Sequence, residues 1–369
     1  MLSTEHRPKI AFIVPDFAGG GAQKMLINMA NEFSRRHYDV DLLVINGDGP
    51  LSSNAISGVK VINFKRSRAI RSFFDLWAYI FFQKPAVILS AMTHINIMSV
   101  WAGRLSFRKT NIIISERSYF SLSSKRGRIS PQLMASLVFI SYPLANKIVG
   151  ISHGVSRDIS KYIHKNFHLK IRTIYNPVVT SDMIRDSQKH IDAPPSKAFS
   201  VPLLVTIGRL VPAKDQKTLL AAFAILRRNR SIKLVIIGEG ELLPELMGRA
   251  QELGIQDDVE FTGFLKNTSH YMANASVFVI SSIWEGFCNV LVEALLYGLP
   301  IVSTDCKSGP GEILKNGEYG MLVPIKDAQA MADAISTLID SPPHPRIQRD
   351  RAMDFTTEKI CNEFEALIK

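Results

Sequence analysis

The chain has 369 residues, of which 46% are hydrophobic and 21% charged, and it carries a formal net charge of +11. This is the composition of a globular protein, and it excludes a chain that is disordered throughout. Because single hydrophobic cores stop growing near ~250 residues, the length predicts two domains.

The three cysteines, Cys288, Cys306 and Cys361, are odd in number and lack metal-ligand spacing. We therefore expect neither a disulfide framework nor a zinc site, and the chain is typical of a reducing cytoplasm. No stretch reaches the ~18 consecutive apolar residues of a spanning helix. The short apolar run 10–14 is too brief for a signal peptide. We expect a cytoplasmic protein that is soluble or peripheral to the inner face of the plasma membrane.

The positive charge lies in the first half of the chain. Residues 1–180 contain 24 Lys and Arg against 9 Asp and Glu, a balance of +15, whereas the remainder has a balance of −4. This excess of positive charge favours contact with a membrane surface, an anionic acceptor or nucleic acid. The alternative is an ordinary solvated surface. The basic clusters are Lys65, Arg66, Arg68 and Arg71, and Lys125, Arg126 and Arg128. No helix-turn-helix or aromatic RNA-binding motif accompanies them, so we expect no nucleic-acid partner.

Short apolar runs separated by helix-length segments predict the first domain. Continuous rather than alternating apolarity is typical of parallel strands that are covered on both faces. The runs are KIAFIV (9–14), VDLLVI (40–45), AVILSA (86–91), NIIIS (111–115) and KIVGIS (147–152).

A glycine turn follows the first of these strands and precedes a helix predicted over Gln23 to Phe33. Gly20 and Gly21 belong to this turn, whose backbone N–H groups are suited to a phosphate at a helix N-terminus. The sequence is not the complete dinucleotide fingerprint, and a simple tight turn is the alternative. A dinucleotide oxidoreductase would need an acidic residue ~20 residues after the glycine turn to bind the ribose, and Asp39, Asp41 and Asp48 are poor candidates for it. The sequence therefore argues against that function.

Segment 66–84 combines clustered arginines with the aromatic residues Phe73, Phe74, Trp77, Phe81 and Phe82. Such a segment is suited to a helix in a membrane interface. The alternative is an ordinary helix that packs its aromatic side chains against the first sheet.

A second series of apolar runs predicts another doubly wound sheet. The runs are LLVTIG (203–208), KLVIIG (233–238), VEFTGF (259–264), VFVISS (277–282) and PIVSTD (300–305). A proline-containing stretch before them is typical of a linker. We predict an N-terminal domain over 1–180, a linker over 181–199, a C-terminal domain over 200–345 and a C-terminal helix over 346–369.

Charged residues follow several strands of the second series. Arg209 and Lys214 bracket a strand-to-helix connection and are suited to a diphosphate. Gly238 lies in a glycine turn after the next strand. Glu285 and Glu293 flank a loop and the start of a helix, where carboxylates are suited to ribose and sugar hydroxyls. Taken alone, Arg209 and Lys214 are more typical of solvated surface charges. The alternative for Glu293 is a surface residue of a helix, and for Glu285 it is a residue that caps a helix N-terminus.

Five motifs occur in the order seen in the large retaining glycosyltransferase family of the GT-B fold, glycosyl transferases group 1, which the chain resembles over nearly its whole length. The motifs are E-x7-E (285–293), GRL-x3-K (208–214), IGEG (237–240), YNP (175–177) and TDCKSGPGEIL (304–314). The resemblance implies two Rossmann-like doubly wound α/β domains that face a central cleft, with the C-terminal helix crossing back to the first domain. It is strongest to members that extend lipid-linked or lipopolysaccharide oligosaccharides.

The resemblance also implies roles for individual residues. Arg209 and Lys214 would contact the donor diphosphate, Glu293 the ribose and Glu285 the sugar hydroxyls. The remaining donor contacts would come from Gly20, Gly21, Gly238, Phe264, Leu265, Gly286, Phe287, Cys288 and Asn289.

Three residues of the first half complete the expected site. His94 is the candidate for the histidine that relatives place at the donor sugar or phosphate, and we group it with Glu285 as catalytic. Glu116 and Arg117 match a motif of close relatives and would face the acceptor. Relatives usually have proline where Cys288 stands, so the loop is expected to differ there.

The sequence therefore predicts a retaining, metal-independent glycosyltransferase without a cofactor. Its donor would be a nucleotide sugar, expected to be a UDP-sugar, and its acceptor an anionic lipid-linked or lipopolysaccharide-type glycan. The alternatives are an epimerase of the same fold and a basic nucleic-acid-binding protein.

Overall fold

The computed structural model describes residues 8–18, 20–47, 49, 51–55, 57–66, 69–124, 129–192 and 201–368. The predicted cations Arg68, Lys125, Arg126 and Arg128 lie outside these residues. The chain divides into two compact units, of which unit 1 comprises Met1–Pro177 and Thr357–Lys369 and unit 2 comprises Val178–Thr356.

Strands and helices alternate along the described chain. The strands are β1 (Lys9–Asp16), β2 (Asp39–Asn46), β3 (Val59–Asn63), β4 (Val87–Ala91), β5 (Asn111–Glu116), β6 (Lys147–Gly150), β7 (Ile171–Thr173), β8 (Leu203–Ile207), β9 (Lys233–Ile237), β10 (Val259–Gly263), β11 (Val277–Ile280), β12 (Ile301–Thr304) and β13 (Met321–Val323). The helices are α1 (Gly21–Arg35), α2 (Phe73–Gln83), α3 (Thr93–Leu105), α4 (Phe120–Ser123), α5 (Pro131–Ser141), α6 (His153–Ser160), α7 (Ser181–Asp192), α8 (Gln216–Arg227), α9 (Leu243–Glu252), α10 (Ser269–Asn274), α11 (Asn289–Leu296), α12 (Pro310–Ile313), α13 (Ala328–Asp340), α14 (Pro345–Ala352) and α15 (Thr357–Ile368).

Each unit is built on a parallel sheet. Within the described residues, unit 1 has the strand order β3-β2-β1-β4-β5-β6-β7 and unit 2 the order β10-β9-β8-β11-β12-β13. The central strands are mostly apolar because helices cover both faces, as in β4, whose five residues are all buried and of which only Ser90 is polar. The predicted α/β class with two Rossmann-like domains is confirmed.

The order of strands reverses at one point in each sheet. In unit 1 the reversal lies between β1 and β4, and in unit 2 it lies between β8 and β11. Ligands of open parallel sheets bind beside the carboxyl ends of the strands at such a point. The loops that follow β1 and β4 in unit 1, and β8 and β11 in unit 2, are therefore the candidate positions for ligand binding.

The C-terminal tail forms two helices, where the sequence pattern predicted one. Helix α14 belongs to unit 2 and α15 to unit 1. Helix α15 buries Ile360, Cys361 and Phe364 in the core of unit 1 that contains β1 and α1. The return of the last helix to the first domain is thus observed.

Replacing Phe364 with alanine is expected to lower the free energy of unfolding of unit 1 by about 3–5 kcal/mol, because a fully buried aromatic ring is removed from a packed core. Urea denaturation checks this value. Glu363→Ala, an exposed position on the same helix, is the control and is expected to cost much less. Equal losses in the two variants would show that α15 contributes little through its buried face.

The segment predicted as a linker begins with helix α7. Its Asp186 accepts hydrogen bonds from Ser269 and from Tyr297, the latter at 3.3 Å, so α7 is anchored within unit 2. Residues 193–199 of the predicted linker lie outside the described residues.

Candidate functional site

A lysine and a glutamate meet at the point where the sheet of unit 2 reverses its order. Lys214 follows β8 and Glu285 follows β11, and the lysine Nζ donates to Glu285 Oε1. The two side chains are 20% and 10% exposed, so this is a largely buried ion pair. Burial alone would lower the pKa of Lys214, but the charge of Glu285, its hydrogen bond and the nearby Cys288 and Cys306 together outweigh burial, and the pKa is raised. Lys214 is therefore a fixed cation at neutral pH.

Hydroxyl groups hold this pair in place. Ser282 Oγ donates to Glu285 Oε1 at 2.6 Å, and Thr304 Oγ1 donates to the Ser282 carbonyl oxygen at 2.6 Å. Ser281 Oγ donates to the Lys214 carbonyl oxygen at 2.7 Å. Sequence reasoning missed these residues, although hydroxyl side chains at the ends of apolar strands were a usable signal.

The loops after β8 and β9 lie against each other through glycine. Gly238 has φ +141°, and a Cβ atom there would lie 2.1 Å from the Gly208 carbonyl oxygen. Only glycine fits such an approach. Arg209 is exposed in the same loop, and its carbonyl oxygen accepts a hydrogen bond from Gln216 at 3.1 Å. The predicted glycine turn thus brings two backbone loops together beside Lys214.

The predicted base-binding residues follow β10 at the edge of the sheet. Phe264 is 60% exposed and Leu265 is half-buried. The backbone N–H of Phe264 donates to Glu239 Oε1 at 3.3 Å, which ties this loop to the one after β9. An exposed aromatic ring at the carboxyl edge of the sheet is available for stacking.

The loop between the two glutamates has an unusual backbone. Cys288 precedes α11 with φ +78°, a value that proline cannot adopt. The expected local difference from relatives with proline therefore has a physical basis. Gly309, with φ +85°, packs so closely that a Cβ atom would lie 2.4 Å from the Phe287 carbonyl oxygen.

The predicted donor residues of this loop differ in burial. Phe287 is buried, with its ring centroid 5.6 Å from that of Phe355, and Gly286 accepts a hydrogen bond from Ser308 Oγ at 3.0 Å. Asn289 is the first residue of α11, and Glu293 is half-buried on the same helix.

Unit 1 contains a pocket of about 240 Å³ at the carboxyl ends of the neighbouring strands β4 and β5. His94, Glu116 and Arg117, which the sequence placed in the site, all line it. The structure therefore brings these three residues together. Gly20 and Gly21 follow β1, the strand beside β4, and Gly20 precedes α1 without a side-chain cap.

Glu116 is the buried acid of this pocket. Tyr142 Oη donates to its Oε1, as does Asn96 Nδ2 at 3.2 Å, while Thr93 Oγ1 donates to Oε2 at 3.2 Å. Burial raises the pKa of Glu116 to about 7, although these hydrogen bonds oppose the shift. Sequence reasoning missed the three donors, of which Asn96 was detectable as a polar residue in an apolar helix.

The two other predicted residues of the pocket carry weaker contacts. Burial lowers the pKa of Arg117 to about 9, so the guanidinium remains charged at pH 7. Its Nη1 donates to Ser115 Oγ at 3.5 Å, and its buried Nε–H has no hydrogen-bond partner. His94 is exposed at the pocket, and desolvation by the surrounding protein lowers its pKa, which favours the neutral imidazole.

Metal-ligand clusters were sought throughout the part of the chain that the structure describes. No group of three or more His, Cys, Asp or Glu residues is arranged there to hold a metal ion. Among the same residues, no helix is long and apolar enough to cross a bilayer.

Two models of glycosyltransferase families match the chain, one in each unit. Residues 19–182 match the model of Glycosyltransferase Family 4, and residues 188–354 match the model of Glycosyl transferases group 1. One relative, from Campylobacter jejuni, is N-acetylgalactosamine-N,N'-diacetylbacillosaminyl-diphospho-undecaprenol 4-alpha-N-acetylgalactosaminyltransferase. It is 30% identical over 257 residues, which are 69% of this chain and 66% of that protein.

A second Campylobacter jejuni protein matches along its whole length. GalNAc-alpha-(1->4)-GalNAc-alpha-(1->3)-diNAcBac-PP-undecaprenol alpha-1,4-N-acetyl-D-galactosaminyltransferase is 26% identical over 376 residues, which cover 98% of each chain.

Solved structures share the fold. Anabaena HepE in complex with UDP matches with a TM-score of 0.76 and 19% identity over 97% of this chain and 98% of that one. The apo form of the lipopolysaccharide outer core galactosyltransferase WaaB matches with a TM-score of 0.74 and 19% identity, over 98% and 99% of the two chains. The chain belongs to the glycosyl transferases group 1 family and has its GT-B architecture of two parallel-sheet domains.

Proposed function

We propose that the protein is a retaining glycosyltransferase that moves a sugar from a UDP-sugar to a lipid-linked or lipopolysaccharide-type glycan. The single observation that carries the proposal is the buried pair of Lys214 and Glu285 at the reversal point of the unit 2 sheet. The relatives that act on diphospho-undecaprenol glycans support the class of acceptor, and the HepE complex with UDP supports the donor.

Unit 2 is proposed to bind the donor. Lys214 and Arg209 contact the diphosphate, since a fixed cation and an exposed guanidinium follow the same strand. Glu285 accepts hydrogen bonds from sugar hydroxyls and Glu293 from the ribose. Phe264 and Leu265 border the base, and backbone amides around Cys288 lie near the sugar or the phosphates.

The proposed reaction needs no dedicated protein base and no metal ion. The bond from the anomeric carbon to the β-phosphate oxygen breaks as the acceptor oxygen attacks from the same face of the sugar. A phosphate oxygen of the departing UDP accepts the acceptor proton. Lys214 and Arg209 stabilise the negative charge that develops on the diphosphate. Glu285 orients the sugar and supports the positive charge at the anomeric carbon.

Nucleotide release across a panel of UDP- and GDP-sugars tests the proposal. We expect slow UDP release from at least one UDP-sugar, which rises when an undecaprenyl-diphosphate glycan is added, with retained configuration in the product. Conversion of the donor sugar without nucleotide release would instead identify an epimerase. An inverted product would overturn the retaining mechanism.

We also propose that unit 1 contacts an anionic membrane surface. Helix α2 buries Leu76, Tyr79 and Ile80 but leaves Phe74 and Phe82 exposed at 75% and 70%. Arg71 and Lys84, which lie just before and just after α2, are also exposed. Exposed aromatic rings on a helix flanked by cations are suited to the interface of an anionic bilayer.

Replacing both Phe74 and Phe82 with serine is expected to reduce binding to anionic vesicles at least several-fold, because two rings no longer enter the interface. Co-sedimentation with vesicles at low and high salt measures the effect. Met247→Ser, at an exposed position in unit 2, is the control. Unchanged binding of the double variant would contradict this role of α2.

A further inference from the structure

The pocket of unit 1 has a volume of about 240 Å³. This volume lies below the ~300 Å³ at which pockets for drug-sized ligands begin. Residues at the carboxyl ends of β4 and β5 and in α4 line the pocket. A site of this size suits one sugar residue, with the remainder of a glycan outside it.

Arg117 supplies an unused hydrogen-bond donor to this pocket. The Nε–H group is buried and has no partner, and among the described residues Arg117 forms no ion pair. Glu116 does not accept a hydrogen bond from this N–H group. Its carboxyl group already receives hydrogen bonds from Tyr142, Asn96 and Thr93. Buried donors are normally satisfied, so an oxygen atom of a ligand is the expected partner.

The remaining lining distinguishes between ligand oxygens. Met92, Phe120 and Met134 give the pocket an apolar side, whereas Thr93, Ser118 and Ser123 give it hydroxyl groups. A carboxylate ligand would pair with Arg117, but it would also place a second acid beside the buried Glu116, which is unfavourable for like charges. A hexose with hydroxyl groups alone can place a C–H face on the apolar side, but it has neither a carbonyl oxygen for Arg117 nor a methyl group for that side. A neutral acyl amide satisfies both sides.

We propose that this pocket binds an acetamido sugar at the end of the acceptor glycan. Arg117 Nε–H donates to the acyl carbonyl oxygen, the acyl methyl group contacts Met92, Phe120 and Met134, and the serine and threonine hydroxyls bind the ring hydroxyls. This assignment rests on the proposed transferase function and adds the class of sugar that the acceptor presents.

Ligand-observed NMR titration of the full chain with simple glycosides tests the assignment. The probes are the methyl glycosides of N-acetylglucosamine and N-acetylgalactosamine, the parent glucoside and galactoside, and methyl glucuronide. We expect one acetamido glycoside to bind about tenfold more tightly than its parent, the effect of roughly one well-made hydrogen bond plus a buried methyl group.

Arg117→Lys is expected to remove most of this preference, because lysine cannot reproduce the Nε–H donor. The ratio of the acetamido to the parent affinity is the decisive quantity, since a general structural defect lowers both affinities together. Arg157→Lys, an exposed arginine of unit 1, is the matched control and should keep the ratio. Met134→Ser gives a second, independent variant, which should also lower the ratio.

Equal binding of acetamido and parent glycosides, preference for the glucuronide, or no binding of any probe would overturn the assignment. A ratio that survives both Arg117→Lys and Met134→Ser would do so as well. The proposed transferase function fails separately, through the absence of nucleotide release from every donor, whatever the glycosides show.

Discussion

Replacing Lys214 with alanine is expected to lower kcat for nucleotide release by about 10²–10³-fold, the usual effect of removing one preorganised group that stabilises developing negative charge. Lys214 is the fixed cation closest to Glu285, and its raised pKa keeps it charged throughout the neutral range. Initial rates of UDP release with saturating donor measure the effect.

Two further variants separate the chemistry from the structure. Lys217→Ala removes an exposed lysine of α8 that pairs with Glu245, and it should leave kcat near that of the wild type. Lys214→Ala combined with Glu285→Gln removes the unpaired carboxylate that the single variant leaves behind, and it is compared with Glu285→Gln alone. A double variant that is no slower than Glu285→Gln would show that Lys214 only neutralises Glu285, whereas a further loss of kcat supports its contact with the diphosphate.

Replacing Glu116 with glutamine is expected to change how the stability of unit 1 depends on pH. The folded-state pKa of Glu116 is raised from 4.5 to about 7. A raised pKa means that the contribution of this group to stability is fully present below about pH 4.5 and is lost as pH rises through 7. At 1.36 kcal/mol for each pKa unit, the wild type loses about 3 kcal/mol over this window, and the glutamine variant does not.

The measurement is urea denaturation of both proteins at pH 4.5 and pH 8. A Trp284→Phe background leaves Trp77 and Trp101, so the fluorescence reports unit 1. The difference in stability between variant and wild type should move in favour of the variant as pH rises. Glu358→Gln, at an exposed position on α15, controls for the removal of a single charge. A difference that stays constant with pH would show that Glu116 titrates near its ordinary value.

Nine of the ten strands that the sequence predicted lie in the interior of the sheets, and the tenth, β10, lies at an edge. Each of the ten predicted apolar runs contains a strand of the structure, from β1 to β12, because burial on both faces leaves a continuous apolar signal. The three strands that were not predicted, β3, β7 and β13, are edge strands. In β3 the exposed residues Lys60, Val61 and Asn63 interrupt the apolar pattern. An edge strand pairs with only one neighbouring strand, and this pairing leaves little pattern in the local sequence.

In unit 2 the sequence predicted the charged residues of the site but not the contact between them. Glu285 and Lys214 were identified because motif spacing places each after a strand, and parallel strands bring their carboxyl ends to one edge. Their direct contact depends on β8 and β11 being neighbours at the reversal point, which no spacing encodes. The single helix predicted for the tail is two helices, since the short 3-10 segment Met353–Phe355 that separates α14 from α15 lacks a strong sequence signal.

The sequence by itself determined the α/β class, the two sheets, the family and the identity of the charged residues after the strands. These properties follow from local periodicity and short motifs, which act over a few residues. The tertiary structure decided which side chains meet. The pocket of His94, Glu116 and Arg117 exists because β4 and β5 are adjacent, and its three hydrogen-bond donors to Glu116 come from residues 93, 96 and 142. Burial, and with it the raised pKa of Glu116, is a property of that packing, because removing water from a carboxyl group requires neighbours that are distant along the chain.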